Sequence, residues 1–540
     1  MTNRSTQLPV ELQDAEEVPK NIENSPPLAK NSSHEPSGLA TIVSRNMAIS
    51  LARVAVNTII TLVLPAYLTH HLPLATYGAW VLILQFGAYV SFLDLGIQTG
   101  VAKFVAEFDA KGDSYGAGRH ASAGLAITIM TGLVGVGLTL VLAWQVPRLF
   151  QDMPTVLYRD VRISIMLIGV SLSLGLVSSV FSAVFMGLQR YAVPTVIAIV
   201  NRLAYTVVIL AAVFLHSSLA VMGAMVAAVN VAAALLQMIA WRKLASRIQI
   251  SLVLVQRQAL SRMARYCSLL AVWTVGMVCV SGMDVTIVGH YAYNETAYYS
   301  VASLPITFML VIISSMLGPM MPASSALSTQ RSPMEMGALL SRLTRYSATL
   351  LLLTGLPLVV FGFPILRLWV GPTYAIHSIS YLQILVIANI IRNLCAPYAT
   401  LIAATDQVRT ALAAPILEAV VNLGSSLYLA SRFGAMGVAY GTLLGAFASV
   451  ALHFAISMHY TISTLAVSRA KLFVEGITRP ALVCLPSLLL LLWQRFRPNN
   501  FSIGETSTWA AGTILLAWFG TLNRQEHESI VQAFGRRSIP

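Results

Sequence analysis

The 540 residues are 56% hydrophobic and only 10% charged, with a mean hydropathy of +0.74, which excludes a water-soluble fold and makes lipid the solvent for most of the chain. The formal charge of +13 would point to nucleic acid in a soluble protein, but its distribution excludes that reading. Of the 34 Lys and Arg, 24 fall in alternate loops on one side, 7 in the loops between, and 3 (Arg53, Arg202 and Arg392) inside apolar stretches.

Basic loops mark the cytoplasmic face, so a multi-pass protein of the inner (plasma) membrane with both termini in the cytoplasm is predicted. The loop with Arg148, Arg159 and Arg162 runs against the bias. Residues 1–45 carry Pro26-Pro27 and scattered polar residues without an apolar core or signal-peptide segment, and are expected to be a disordered cytoplasmic tail. Each crossing takes about 20 apolar residues. On that measure the predicted fold is all-α, polytopic, with about fourteen transmembrane helices.

The first six spans are predicted at Asn46–Thr69, Tyr77–Ala102, Ala121–Gln145, Val161–Met186, Val193–Leu215 and Leu219–Ala240, making an N-lobe over 46–240. A basic linker, 241–265, follows. Its Arg242, Lys243, Arg247, Arg257, Arg262 and Arg265 alternate with Ile248, Leu252, Leu254 and Leu260, which suits either a helix lying on an anionic leaflet or an ordinary cytoplasmic loop. Six more spans over 266–458 form a C-lobe. A second basic loop and two last spans, near Ala481–Trp493 and Thr506–Thr521, occupy 459–522, and 523–540 is a cytoplasmic tail.

An internal repeat supports two six-helix lobes: Gln189-Arg190, Pro194, Asn201 and Met222-Gly223 recur as Gln407, Arg409, Pro415, Asn422 and Met436-Gly437, with the same Pro-to-Asn interval. An even number of helices per lobe sets the pseudo-symmetry axis along the membrane normal, with a cleft between the lobes.

Charges inside spans are costly and mark polar cavities or buried partners. Asn46, Ser50, Arg53, Asn57 and Thr61 follow helical spacing and draw one polar stripe down the first span. Ser300, Ser303, Thr307 and Ser314 draw a neutral stripe on the eighth span, and Thr274, Ser281 and Asp284 a shorter one on the seventh. Such stripes line a cavity or join helices. Arg202 lies nine residues into its span, about 13 Å along the helix. Arg392 sits deep in the tenth span beside Asn389 and Asn393. Either meets an anionic substrate or pairs within the protein, with Glu418 and Asp94 as available partners. Asp94, Asp284 and Glu418 are candidates for ion coupling or helix pairing.

No Walker A loop, metal-binding cluster or cofactor motif is present; His70-His71 is an isolated pair, and the four cysteines lack ligand spacing. Short outer loops argue against a membrane glycosyltransferase or ligase. A carrier without catalytic residues is expected, with no cofactor, and with coupling to a proton or sodium ion left open.

The stretches Leu74-Ala75-Thr76-Tyr77-Gly78-Ala79-Trp80, Phe92-Leu93-Asp94-Leu95-Gly96 and Lys103–Phe108, then Gly187–Tyr191, Asp284–Gly289, Phe361-Gly362, Leu368-Trp369-Val370-Gly371 and Tyr374, together resemble the polysaccharide transporter (Wzx-type oligosaccharide flippase) family of the multidrug/oligosaccharidyl-lipid/polysaccharide superfamily. The resemblance covers residues 46–458. It implies two six-helix bundles and transfer of an undecaprenyl-diphosphate-linked oligosaccharide, an O-antigen, exopolysaccharide or capsule unit, across the inner membrane by alternating access. It also implies a cavity role for Arg53, with Ser50, Asn57, Arg202 and Arg392 as further cavity candidates. Its partners are then the membrane lipid, the lipid-linked glycan and other polysaccharide export proteins. A drug or cation antiporter and a lipid II flippase of the same superfamily are the alternatives.

Overall fold

The computed structural model describes residues 36–318, 320, 324, 327, 332–403, 408–461, 465–466, 468–494, 503–522, 526 and 528. Contacts divide the chain into two units, 1–48 and 49–540. Among the described residues there is no strand. The expected tail falls largely outside the described residues, but helix α1 (Pro36–His71) starts ten residues earlier than expected. A proline just inside a helix start forfeits no intrahelical bond, because the first N–H groups are unpaired anyway.

In the second unit, α2 (Leu74–Phe92) and α3 (Ile97–Ala110) share one apolar stretch broken in its middle. They are followed by α4 (Ser114–Leu149), α5 (Tyr158–Gly187), α6 (Ala192–Phe214) and α7 (Leu219–Leu244). The second half opens with α8 (Arg257–Met277), a π-helical turn (Val278–Gly282) and α9 (Asp284–Tyr291), then α10 (Thr296–Leu317), α11 (Pro333–Val360), α12 (Gly362–Val370), α13 (Pro372–Asn393), α14 (Ala396–Ala403) and α15 (Val408–Leu452). Eleven stretches among the described residues are long and apolar enough to cross a membrane. One of these folds back at Gly434, and the rods 257–291 and 503–521 run beside them, bringing the helical rods to fourteen.

Lipid offers helices no hydrophobic reward for association, so close backbone approach and interhelical hydrogen bonds hold them together. A Cβ on Gly223 of α7 would fall 2.8 Å from the Ser164 Cα of α5, and the Ser164 hydroxyl donates to the Leu219 carbonyl at 2.7 Å. The two arms of α15 approach still more closely: a Cβ on Gly441 would lie 2.6 Å from the Ser426 backbone nitrogen, and one on Gly445 2.8 Å from the Asn422 Cβ. The repeat maps onto two helical hairpins. In the first, α6 and α7 turn through His216 (φ 52°); in the second, the arms of α15 turn through Gly434 (φ 57°).

The linker differs from a surface helix. α7 runs on to Leu244 and α8 begins at Arg257; between them Ala245 and Ile248 are buried against α3, the start of α4 and the end of α5. The Ser251 N–H donates to the Ser122 hydroxyl at 3.1 Å, and the Trp241 indole N–H to the Ile248 carbonyl at 3.1 Å. Four apolar positions among the basic ones gave the linker a helix-like pattern, but one of them, Ile248, is taken up by the bundle together with Ala245.

Candidate functional site

A cavity of 310 Å³ lies between the two sets of helices, walled by α1, α2 and α6 on one side and by α9 and α10 on the other. Its polar lining consists of Thr61, Gln85, Arg202, Ser300 and Ser303, with Tyr77 and Tyr205, and no acidic side chain is among the residues described as lining it. The stripes expected on the first and eighth spans therefore meet here through Thr61, Ser300 and Ser303. Pro65 also lines the cavity. Lacking an N–H, it leaves the Thr61 carbonyl without its helical partner, which adds an acceptor beside the cavity.

The Arg202 guanidinium stacks 5.2 Å from the Tyr205 ring centre. Its Nε is buried with no hydrogen-bond partner, as is the neighbouring Asn201 Oδ1, and no carboxylate pairs with it among the described residues. Toward the start of α1 the polar line continues through Asn57 to Arg53, eight residues and about 12 Å from Thr61. Both are exposed, and Arg53 has no ion pair among the described residues. The Ser50 side chain lies outside the described residues.

Arg392 occupies a different environment. Its Nε donates to the Glu418 carboxylate, and its Nη1 to Asn389 Oδ1 at 3.3 Å; Glu418 is buried at 5% exposure. The pairing alternative is thus the geometry observed, and Arg392 is not among the residues lining the cavity. Nearby, Asp284 accepts from the Tyr299 hydroxyl at 3.3 Å and from the Thr442 hydroxyl at 3.2 Å. Asn422 donates to the Val280 carbonyl of the π-helical turn and accepts from Ser426. The second half therefore holds a buried polar network spanning α9, α10, α13 and both arms of α15.

Asp94 stands where α2 breaks. Leu95 and Gly96 both have positive φ (48° and 75°), and the Asp94 carboxylate accepts from the backbone N–H groups of Gly96 and Gln98 and from Ser179. A carboxylate at the first turn satisfies orphan donors and complements the helix dipole. Gly96 is required twice over, by its backbone angle and because a Cβ there would collide with Leu270 of α8 at 2.5 Å. The Asp-Leu-Gly motif is a helix break with its own cap. Thr274, expected on a cavity stripe, lines instead an apolar crevice of 360 Å³ beside this break.

Beside the cavity and on toward His70 and His71, the two halves are closed upon each other. The Trp369 indole N–H donates to the Leu62 carbonyl at 2.7 Å, the Tyr293 hydroxyl to the Ala75 carbonyl at 2.7 Å, and Tyr77 meets Tyr374 edge-on with ring centres 6.2 Å apart. On the flank of α2 and α9 the closure continues through Gln85, which donates to the Gly282 carbonyl at 2.6 Å, and through the Tyr89 and Thr286 hydroxyls at 2.6 Å. Farther along that flank α3 packs on α8, where Arg262 pairs with Glu107 at 3.2 Å. The opposite flank differs: Arg53, Val54, Asn57 and Ile59 of α1 and Thr307, Val311, Ile312 and Ser314 of α10 are exposed. The cavity is sealed at the His70 end and flanked by open helix faces at the Arg53 end.

The sequence reading did not identify this seal, although Tyr77, Trp369 and Tyr374 all belong to the stretches that carry the family resemblance. A second cavity, of 610 Å³, lies between α11 and the C-terminal helices, with Arg342 and Glu526 at its rim. It is larger, but Glu526 already pairs with Arg342 and Arg345.

Among solved structures, the chain is similar to an inward-facing multidrug resistance MATE family transporter of the MOP superfamily (TM-score 0.65, 14% identity, covering 76% of this chain and 94% of that one). It is also similar to the lipid II flippase MurJ in an inward closed conformation (TM-score 0.66, 10% identity, 88% and 97%) and to a MATE transporter of Vibrio cholerae (TM-score 0.54, 17% identity, 79% and 98%). At these identities the likeness shows the fold: an all-α, polytopic membrane protein of the kind these transporters share. No family profile matches the sequence, and no curated protein matches it.

Proposed function

We propose that this protein carries an undecaprenyl-diphosphate-linked oligosaccharide from the cytoplasmic to the outer leaflet of the inner membrane by alternating access. The observation that carries the reading is the cavity between the halves, whose one charged lining residue, Arg202, has no carboxylate partner among the described residues. A guanidinium half-removed from water without a counter-ion suits a phosphate oxygen, to which it forms strong charge-assisted hydrogen bonds. Neutral hydroxyl and amide groups around it (Thr61, Gln85, Ser300 and Ser303) suit sugars. With the termini cytoplasmic, the open flank faces inward, so that Arg53 is the first cation a headgroup meets and Arg202 the second.

The drug-antiporter alternative calls for a more acidic or aromatic cavity; the described lining has no carboxylate, while Tyr77, Trp80 and Tyr205 supply aromatic rings, so Arg202, with no carboxylate partner among the described residues, is what favours an anionic cargo. A lipid II flippase shares the fold and differs in the sugar carried. Coupling, where transport is driven, is assigned to Asp284, which accepts from the Tyr299 and Thr442 hydroxyls and lies within the field of Arg392, and a dependence on a proton or sodium gradient tests that assignment.

The test is transfer of labelled lipid-diphosphate oligosaccharide in proteoliposomes. Wild-type protein should transfer it, whereas Arg202→Ala and Arg53→Ala should each lose most of the rate while inserting and expressing normally. Losing one charge-assisted contact of about 1.5–3 kcal/mol corresponds to roughly ten- to a hundredfold. Protein-dependent expulsion of a cationic dye with no lipid transfer would hand the site to the antiporter reading.

A further inference from the structure

The seal beyond the cavity is made of aromatic rings, and they form a connected file. Arg202 lies over Tyr205; Tyr205 and Tyr77 both line the cavity. Tyr77 meets Tyr374 edge-on at 6.2 Å, Tyr374 meets Tyr298 edge-on at 5.3 Å, and Tyr298 stacks on His377 at 4.6 Å and 23°. His377 is exposed. The file of touching rings therefore runs from Tyr77 at the cavity to the surface, with rings contributed by α2 of one half and by α13 and α10 of the other.

A seal that only excludes water is best made of aliphatic side chains, which bring no polar atoms to satisfy. This one buries three polar groups without partners: the Tyr374 hydroxyl, the Trp80 indole N–H and the Thr296 hydroxyl, on residues that are 7%, 0% and 0% exposed. They are neighbours. Thr296 packs against Gly78, with its Cβ 3.8 Å from where a glycine Cβ would stand, and Gly78 lies between Tyr77 and Trp80 in sequence. Buried polar groups are almost always hydrogen-bonded, so three orphans on or against the Tyr77–Trp80 turn of α2 leave donors and acceptors there free to meet a ligand. When the halves part there, the rings and the orphans become accessible together. Water satisfies the orphans alone. A pyranose satisfies both, since its axial C–H groups lie on the electron-rich ring faces while its hydroxyls donate to and accept from the tyrosine, indole and threonine groups.

We propose that the seal is also a carbohydrate-binding subsite, in which Tyr77, Tyr298 and Tyr374 receive successive sugar rings of the outgoing cargo and Trp80, Thr296 and Tyr374 hydrogen-bond their hydroxyls. This rests on the reading that the cargo carries a glycan. Arg202 holds the diphosphate on the cavity side while the sugars advance along the rings, so the seal opens onto the part of the cargo that stacks best against it.

The experiment compares two cargoes in proteoliposomes, undecaprenyl diphosphate bearing an oligosaccharide and the same lipid diphosphate without sugars. Substituting Tyr298→Leu or Tyr374→Leu should lower the ratio of oligosaccharide to sugar-free transfer by roughly tenfold, the value of a lost stacking contact. Tyr298→Phe, which keeps the ring, should restore the ratio. His377→Leu, at an exposed position where folding is not at stake, should lower it in the same direction. Equal slowing of both cargoes by all the leucine variants, with no change in ratio, overturns the subsite and leaves the flippase reading standing. Failure of the wild-type protein to move either cargo overturns the flippase reading itself.

Discussion

The three intramembrane arginines have different electrostatic settings, and each predicts a different phenotype. Arg392 is paired with buried Glu418, so its loss leaves a carboxylate stranded out of water. Breaking a buried pair on one side costs about 3–5 kcal/mol, and Arg392→Ala should lower the thermal midpoint of the purified protein markedly. Replacing both partners with apolar residues of similar volume, Arg392→Met with Glu418→Leu, should return most of the stability. A single variant as stable as wild type would mean that Glu418 is not stranded and that the pair is not holding α13 to α15. Arg202 and Arg53 have no such partner among the described residues, so their removal should spare stability and act on transport. The sequence set Arg53 apart by its polar stripe and named Glu418 and Asp94 as available partners for Arg202 and Arg392, but it could not choose between pairing and a cavity role, because Glu418 lies 26 residues from Arg392, on another helix.

Where the chain's elements begin and end, lipid did much to make the reading possible. Apolar runs of fixed length must become helices there, and eleven stretches among the described residues, one of them folded back at Gly434, meet the length and hydropathy requirement directly. Breaks within a run were less legible. The π-helical turn Val278–Gly282 carries no proline or charge to announce it, and the Asp94 break reads as a sequence motif until its positive-φ residues are seen. The hairpin of α15 shows what sets such elements: Gly441 packs its bare Cα against Ser426, with no room for a Cβ. Gly441→Val should therefore separate the two arms, with Asn422 and Thr442 losing their places in the polar network. Gel filtration in detergent should show aggregated protein; a monodisperse peak with wild-type thermal stability would mean that the arms tolerate a wider spacing.

For the whole molecule, the closed end is held by contacts between distant parts of the chain, which is why no sequence pattern disclosed it. Trp369 and Leu62 are 307 residues apart, and the apolar faces that bring them together are shared by dozens of other pairs. The indole N–H is a directional tie across that end. Trp369→Phe keeps the ring but removes the tie, and should shift the population toward the conformer open at the His70 end. The readout is an Ala75→Cys probe in a background without native cysteines, labelled by a membrane-impermeant thiol reagent offered to each face of the membrane in turn. Labelling should rise several-fold over the Trp369 parent, and an unchanged rate would assign the closure to the aromatic packing alone.

The unequal flanks fix what size of object can be handled. With α3 joined to α8 along one side, and α1 and α10 exposed along the other, the passage that the proposed transport would use is a slot and not a tube. A tube must admit a molecule end first and is limited by its bulkiest part, whereas a slot grips one portion and leaves the remainder outside its walls. On this geometry the enclosed volume bounds only the part that is gripped, and for the lipid-linked cargo we propose, the hydrocarbon chain would stay in the bilayer throughout, so chain length should scarcely alter the transfer rate measured in proteoliposomes.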